Sequence, residues 1–221
     1  IYGIYHKIFL PNYGVFDEKR YFNAGDGILI FKMDKIIFSV SICEDIWHLE
    51  GPIKEAAKRG AKIIFNSNAS PYHLGKVKER EKIIKKQAKE NNCFIVYVNL
   101  VGGQDELVFD GQSRVVDNYG KIIAGCSAFK EEFLNIDLSI PTGEEKLKDI
   151  IYIPKRIISK TQMTLPKKPH PLDITEEVYQ AMLLGLKDYV AKNGFKKVVI
   201  GLSGGIDSSL VTTIAKDALG K

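Results

Sequence analysis

The sequence lacks long apolar runs and a strong charge bias. No stretch approaches the roughly 18 consecutive apolar residues that suggest a membrane span, and His6 and Lys7 interrupt the apolar start, so we expect no secretory leader. The net charge is only +5. The basic clusters at 78–90 and 166–171 are typical of a solvated helix face and a linker. These features predict a protein that binds neither membranes nor nucleic acid.

Cysteine and histidine are scarce. The three cysteines form no CxxC pair and cannot all pair with one another, which predicts free thiols in a reducing compartment, the cytoplasm. The four histidines have no metal-ligand spacing, so we expect no zinc site. A Walker A loop is also excluded, because GxxxxGK[ST] does not occur.

The pattern of the chain is that of a soluble α/β protein. With 221 residues, 45% of them apolar, it is long enough for one large domain or two small ones. Alternating strands and helices, together with hairpin signals, predict a layered α/β fold with a mixed sheet. The expected strands are 28–33, 36–42, 62–66, 94–100, 113–117, 121–125 and 133–138, and the expected helices are 52–59 and 76–91.

A second domain is expected to begin at residue 173, after a first domain at 1–150 and a proline-rich linker at 151–172. The linker prolines are Pro154, Pro166, Pro169 and Pro171. The second domain opens with a helix at 174–193, for which Asp173 and Thr175 are candidate caps, followed by a strand at 196–202 and a helix at 208–219. Because the sequence starts without Met, in mid-strand, we expect it to be a piece of a longer protein.

Cys43 stands directly after the predicted strand 36–42, followed by two acids and the single tryptophan. A thiolate is a strong nucleophile, but a cysteine needs help to ionise at neutral pH. A strand-to-helix elbow supplies that help, since it exposes the sulfur and aims backbone N–H groups as an oxyanion hole. The alternative is that Cys43 is a small buried hydrophobic residue, and this stretch alone favours that alternative.

Four further blocks point to a known family. YHKxxLPNYGVFDExRYF (5–22), CEDIW (43–47), NASPY (68–72) and NLVGGQDELVFDGQS (99–113) together resemble the glutaminase domain of glutamine-dependent NAD synthetases, in the nitrilase-like amidase superfamily. The resemblance implies a nitrilase-like α-β-β-α sandwich, present here in part. It also implies a Glu-Lys-Cys triad in which Cys43 is the nucleophile and Lys7 the catalytic lysine.

The resemblance implies further site residues. The general-base glutamate is expected before Ile1, and Glu18 is a candidate second carboxylate near the site, whereas Glu44 does not match the base. Tyr13, Ser70 and Lys76 match glutamine contacts, because an amide substrate with charged α-groups needs polar anchors. The alternative for these three residues is ordinary loop polarity.

The stretch GLSGGIDSS (201–209) suggests a phosphate site. Consecutive small residues let backbone N–H groups surround an anion, and the N-terminus of the next helix adds its positive end; Ser208 and Ser209 are expected to cap that helix. Taken alone, a Gly-Gly turn before a helix is common. With its flanking sequence the stretch resembles the pyrophosphate loop of N-type ATP pyrophosphatases, a Rossmann-like fold. ATP contacts are then expected from Gly201, Leu202, Ser203, Gly204, Gly205, Ile206, Asp207 and Ser208, and Mg²⁺ binding from Asp207.

Together the resemblances imply an ATP-dependent ligase. Glutamine would be hydrolysed at Cys43, and the ammonia would amidate nicotinic acid adenine dinucleotide through an acyl-adenylate made from ATP. The protein would be a homo-oligomer. Two alternatives remain open at this stage: a nitrilase-type amidase fused to an ATP pyrophosphatase that acts on another acceptor, and a non-enzymatic scaffold with vestigial sites.

Overall fold

The computed structural model describes residues 1–142, 149–155 and 168–220. Within these residues nine strands and four helices are formed. The strands are β1 (Ile30–Met33), β2 (Ile36–Ile42), β3 (Ile63–Asn68), β4 (Phe94–Asn99), β5 (Val101–Gln104), β6 (Leu107–Asp110), β7 (Arg114–Val116), β8 (Ile122–Gly125) and β9 (Ile150–Ile153). The helices are α1 (Pro52–Lys58), α2 (Lys76–Glu90), α3 (Ile174–Lys192) and α4 (Ile206–Leu219). None of the described helices is both long and apolar enough to cross a membrane.

The main sheet has seven strands in the order β8-β7-β4-β3-β2-β1-β9. Strands β2, β3 and β4 run parallel to one another, whereas β1, β7 and β8 join through antiparallel pairs. The predicted mixed α/β sheet is therefore confirmed. Because the three parallel strands are neighbours, their carboxyl ends lie side by side at one edge of the sheet.

The two faces of the sheet are covered differently. Ile64, Ile95 and Val116 occupy one cross-strand row, are fully buried and pack in the core with residues of α1 and α2. On the opposite face, Phe38 and Phe65 border a cleft with the extended segment 133–140. Burial of β-branched side chains between sheet and helices is the main apolar stabilisation of this part of the fold.

Two of the predicted strands are wrong. Residues 133–138 form no strand, because this segment crosses the face of the sheet instead of pairing along its edge. Residues 196–202 also form none: they lie against α4, and no strand among the described residues offers them a hydrogen-bonding partner. A strand without a ladder leaves its N–H and C=O groups to the solvent. The hairpin β5–β6 was not predicted, because its Gly102-Gly103 reads as a loop.

Both helices predicted after residue 173 are present, and one of the predicted caps is correct. The Asp173 carboxylate accepts the N–H groups of Thr175 and Glu176, so Asp173, and not Thr175, caps α3. The prediction that Ser208 and Ser209 cap α4 is wrong. The helix begins at Ile206 with Gly205 as its N-cap, and both serine hydroxyls lie in the first turn and donate to the Gly205 carbonyl.

The segment assigned to the linker contributes to the main sheet. β9 pairs parallel to β1 at the sheet edge, although residues 151–153 fall inside the predicted linker 151–172. Residues 156–167, including Pro166, lie outside the described residues.

Helix α3 is attached to the hairpin β5–β6. The Asp188 carboxylate accepts the Gly103 N–H at 2.8 Å, and the Lys192 ammonium donates to the Gly103 carbonyl at 2.6 Å. A Cβ at Gly103 would lie 3.0 Å from the Gly185 Cα. The helix and the hairpin therefore approach at two glycines, and charged side chains of α3 bond both the N–H and the C=O of Gly103.

Replacing Ile64 by Ala tests the buried row. Its side chain is fully buried, so we expect a loss of about 2–5 kcal/mol in the free energy of unfolding. The matched control is Ile174→Ala at the start of α3, where the side chain is 66% exposed and the loss should be about 0.5 kcal/mol or less. Denaturant unfolding measures both. Equal losses would contradict the described packing.

Candidate active site

A strained turn presents the Cys43 sulfur. Strand β2 ends at Ile42, and Cys43 adopts φ of +42°, a left-handed conformation that is unfavourable for a residue with a Cβ. A short 3₁₀ turn, Cys43–Trp47, follows. Its Ile46 is fully buried in the hydrophobic core, and its Trp47 packs against that core. These contacts hold the turn in place, while Cys43 stays partly exposed. This is the predicted strand-to-helix elbow.

The thiol lies in a mixed electrostatic environment. Burial raises its pKa above the ordinary value, and the Lys7 charge and a hydrogen bond from the Ala69 backbone N–H oppose that rise. The carboxylates of Glu44 and Glu18 raise the same pKa further. The lysine and the backbone N–H are therefore the two groups that favour the thiolate.

Lys7 is held by a carboxylate. Its ammonium donates to both Glu18 oxygens at 2.7 Å, and the side chains are only 12% and 24% exposed. The structure thus brings together Cys43, Lys7 and the candidate second carboxylate. Since the Glu18 charge partly offsets that of Lys7 at the sulfur, the ion pair keeps the ammonium at the site while limiting its effect on the thiol.

The segment that carries Lys7 is positioned by Asp45, which sequence reasoning missed. Residues 5–9 belong to no helix or strand, and the N–H groups of Ile8 and Phe9 donate to Asp45 Oδ1 at 3.1 and 3.0 Å. Asp45 is fully buried. The sequence signal that could have pointed to Asp45 is an acid two residues after Cys43 and directly before the apolar Ile46 and Trp47, which pack in the core.

Tyr13 borders the thiol from the exposed side. Its hydroxyl donates to the Glu44 carboxylate at 2.9 and 3.0 Å. Burial, the bond to Glu44 and the nearby Cys43 raise the pKa of Tyr13 to about 12. The phenol therefore stays protonated at neutral pH and serves as a donor.

Ser70 and Lys76 lie in the connection after β3. Ser70 is buried and its N–H donates to Asn99 Oδ1 at 2.9 Å, which fixes the backbone next to Ala69. The Lys76 ammonium lies 4.4 Å from the centre of the Trp47 ring, a cation–π contact. The predicted glutamine contacts therefore surround the Cys43 turn.

The stretch predicted to bind phosphate is a solvent-exposed loop that leads into α4. Gly204 has φ of +84°, and the hydroxyls of Ser203 and Ser208 lie 3.0 Å apart across the loop. A Cβ at Gly201 or Gly204 would meet no atom within 4 Å. An anion can therefore approach the backbone N–H groups and the N-terminus of α4 without obstruction.

The remaining cysteines lie in the interior of the fold. Cys93 and Cys126 are buried, and all three thiols are free, as predicted. The described residues contain no group of three or more His, Cys, Asp or Glu side chains that could hold a metal ion.

The arrangement at Cys43 is suited to nucleophilic chemistry on an acyl carbon. A thiolate can attack a carbonyl carbon, and the developing oxyanion is stabilised by positive charge and by N–H donors. Lys7 supplies the charge, and the turn and the Ala69 region supply N–H groups.

Two family models match the chain. Residues 1–145 match the carbon-nitrogen hydrolase family, and residues 178–221 match the NAD synthase family. The first match covers strands β1 to β8 and the Cys43 turn, and the second covers the end of the chain with the SGGIDS loop.

Relatives match across both segments. Two are curated as glutamine-dependent NAD(+) synthetases: the Aquifex aeolicus protein is 47% identical over 237 residues and the Thermotoga maritima protein 45% over 243 residues. Both comparisons cover 100% of this chain but 41% of the relative, so the chain spans less than half the length of these proteins. A solved glutamine-dependent NAD+ synthetase from Acinetobacter baumannii, in complex with ADP, matches 99% of this chain and 38% of its own with 37% identity and a TM-score of 0.80.

Substituting Lys7 by Met tests the electrostatics of the site. Removing the charge that lowers the Cys43 pKa should move the pH midpoint of Cys43 alkylation upward by about one unit or more, so that alkylation near neutral pH slows about tenfold. The rate of iodoacetamide labelling at Cys43, followed by mass spectrometry across pH, measures this. Lys54→Met, which removes a lysine paired with Glu50, is the matched control and should leave the profile in place. An unchanged profile in the Lys7 variant would show that the ammonium does not act on the sulfur.

Proposed function

The chain belongs to the carbon-nitrogen hydrolase family, and from this premise we propose that it is part of a glutamine-dependent NAD synthetase. The observation that carries the proposal is the Cys43 sulfur at the strained end of β2, under the influence of Lys7 and the Ala69 N–H. The SGGIDS loop at the start of α4 supports the second half of the activity.

The first reaction is hydrolysis of the glutamine side-chain amide. The Cys43 thiolate attacks the carboxamide carbon, and the oxyanion that forms is stabilised by Lys7 and by backbone N–H groups. As the C–N bond breaks, the nitrogen takes up a proton and leaves as ammonia, and a glutamyl thioester remains on Cys43. Water then hydrolyses the thioester to glutamate and the free thiol.

Recognition of glutamine is assigned to three residues around the turn. The Tyr13 phenol donates its one proton to Glu44, which leaves its oxygen as an acceptor, Ser70 is fixed by Asn99, and Lys76 is held over Trp47. Glutamine carries an α-carboxylate and an α-ammonium, so a pocket with a lysine and with acids nearby matches both charges.

The second reaction uses ATP and the ammonia. ATP phosphates bind the loop 201–208 and the N-terminus of α4. The carboxylate of nicotinic acid adenine dinucleotide attacks the α-phosphorus of ATP, which gives an acyl-adenylate and releases pyrophosphate. Ammonia then attacks the acyl carbon and displaces AMP to give NAD. Mg²⁺ fits this site as an ion held by one carboxylate and by substrate phosphates. Asp207 in the first turn of α4 is the residue that would hold it, and the ion would neutralise phosphate charge.

We also propose a cellular compartment and an assembly state for the protein. Three free thiols, one of them the nucleophile, fit a reducing cytoplasm. We further propose a homo-oligomeric assembly, as the family resemblance implies.

Two substitutions in the full-length protein separate the two reactions. Cys43→Ala should abolish NAD formation from glutamine while formation from added ammonium persists, because only the nitrogen supply is lost. Asp207→Asn should reduce NAD formation from both nitrogen sources by about tenfold or more, while glutamate release from glutamine continues. NAD and glutamate are quantified in parallel with each nitrogen source.

The opposite patterns decide against the proposal. If Cys43→Ala retains glutamine-driven synthesis, the thiol is not the nucleophile. If glutamine is hydrolysed but no nitrogen reaches the dinucleotide in the unsubstituted protein, the chain is an amidase that serves another acceptor.

A further inference from the structure

The Asp45 side chain joins the two segments that carry the reactive groups. In addition to the N–H groups of Ile8 and Phe9 on Oδ1, its Oδ2 accepts the Ile42 N–H at 3.0 Å and the Tyr5 hydroxyl at 2.8 Å. Ile42 immediately precedes the thiol, and Ile8 immediately follows the lysine. The buried Asp45 carboxylate thus binds Ile42 and also residues that lie 36 to 40 positions before Asp45 in the sequence.

Four donors on a fully buried carboxylate make this bridge rigid. A buried charge is costly unless it is fully hydrogen-bonded, and bonds to an ionised acceptor are about twice as strong as neutral ones. Burial and the Asp45 charge also raise the pKa of Tyr5, so its phenol remains a donor. Loss of any one of the four donors would leave the buried carboxylate with one hydrogen bond fewer, at a cost in free energy.

The segment 5–9 is held at several points besides Asp45: Glu18 binds the Lys7 ammonium, and the Phe9 ring stacks on the His48 ring. It forms no ladder with a strand, and a backbone bond from Gly25 N–H to the Lys7 carbonyl, at 2.8 Å, attaches it to another loop. Asp45 holds the backbone itself at Ile8 and Phe9, the two residues that follow Lys7, and so orients the segment from which the lysine side chain extends.

We propose that Asp45 is a positioning residue: its carboxylate holds the segment 5–9 so that the Lys7 ammonium acts on the Cys43 sulfur. This role rests on the proposed function of Cys43 as nucleophile. The groups that face the sulfur are Lys7, Glu18 and Glu44, together with the phenols of Tyr13 and Tyr97. Among the side chains named, only Lys7 is a cation, so moving it away from the sulfur can only raise the pKa of the Cys43 thiol.

The direction of the pKa change separates positioning from a direct charge effect. Removing a nearby negative charge by itself lowers a thiol pKa, whereas moving the Lys7 ammonium away raises it. In Asp45→Asn the amide keeps one acceptor oxygen but turns an NH₂ group toward two of the four donors. The segment is then released, and the thiol pKa should rise even though an anion has been removed.

The experiment uses the full-length protein and iodoacetamide labelling of Cys43 across pH. We expect Asp45→Asn to raise the labelling midpoint by about one unit, which is about a tenfold loss of rate at neutral pH. In the Lys7→Met background the same substitution should give no further rise, because the group it positions is absent. The matched control is Asp117→Asn, since Asp117 also accepts two backbone N–H groups, in the β7–β8 turn, and it should not move the midpoint.

An unchanged or lowered midpoint in Asp45→Asn, or an equal rise in the Lys7→Met background, would overturn the proposal. If Asp45→Asn does not fold, Asp45→Glu, whose longer side chain displaces the carboxylate, decides by the same profile. Labelling requires no glutamine, so the result is independent of the NAD assay. If the proposed function itself is wrong, the NAD assay shows it separately, because the Cys43→Ala variant would then still make NAD from glutamine.

Discussion

The interaction on which the site depends is the attraction between the Lys7 ammonium and the sulfur of Cys43. The thiol is largely enclosed, and burial alone keeps it protonated by raising its pKa. A positive charge nearby and one backbone N–H act against that effect, while two carboxylates act with it. The fold therefore has to place a cation near the sulfur, and the ion pair with Glu18 holds that cation at the site while limiting its effect on the thiol.

The parallel part of the sheet meets this requirement by geometry. Cys43 follows β2, the Ala69-Ser70 pair follows β3, and Asn99 ends β4. These three strands are neighbours, so their carboxyl ends bring the Cys43 sulfur, an N–H donor and the side chain that fixes Ser70 to one edge of the sheet. The helix α3 contacts the hairpin β5–β6 that follows β4, which connects this edge to the segment with the phosphate loop.

The elements that pair locally or show a clear period were predictable from the sequence. The β1–β2 hairpin, α2 and the Asp173 cap follow from alternation, amphipathicity and side-chain chemistry. The segments 133–138 and 196–202 have strand-like composition, yet a strand also needs a neighbour, and pairing is not written in a single segment. The cap of α4 was misplaced for a related reason, since Ser208 and Ser209 suit a cap but Gly205 occupies that position.

The candidate site was predictable where a motif specifies it. Cys43 and Lys7 were found by resemblance, not by period or charge, because each alone resembles an ordinary residue. Asp45 was not found, since its role arises from contacts with Tyr5, Ile8 and Phe9, and no local pattern shows long-range contacts.

The most direct measurement of the central claim is the intact mass of the full-length protein after treatment with an electrophilic glutamine analogue, with peptide mapping of the adduct. The account predicts a single adduct, located on Cys43 and suppressed by excess glutamine. An adduct on Cys93 or Cys126, or labelling of Cys43 that glutamine does not affect, would contradict it.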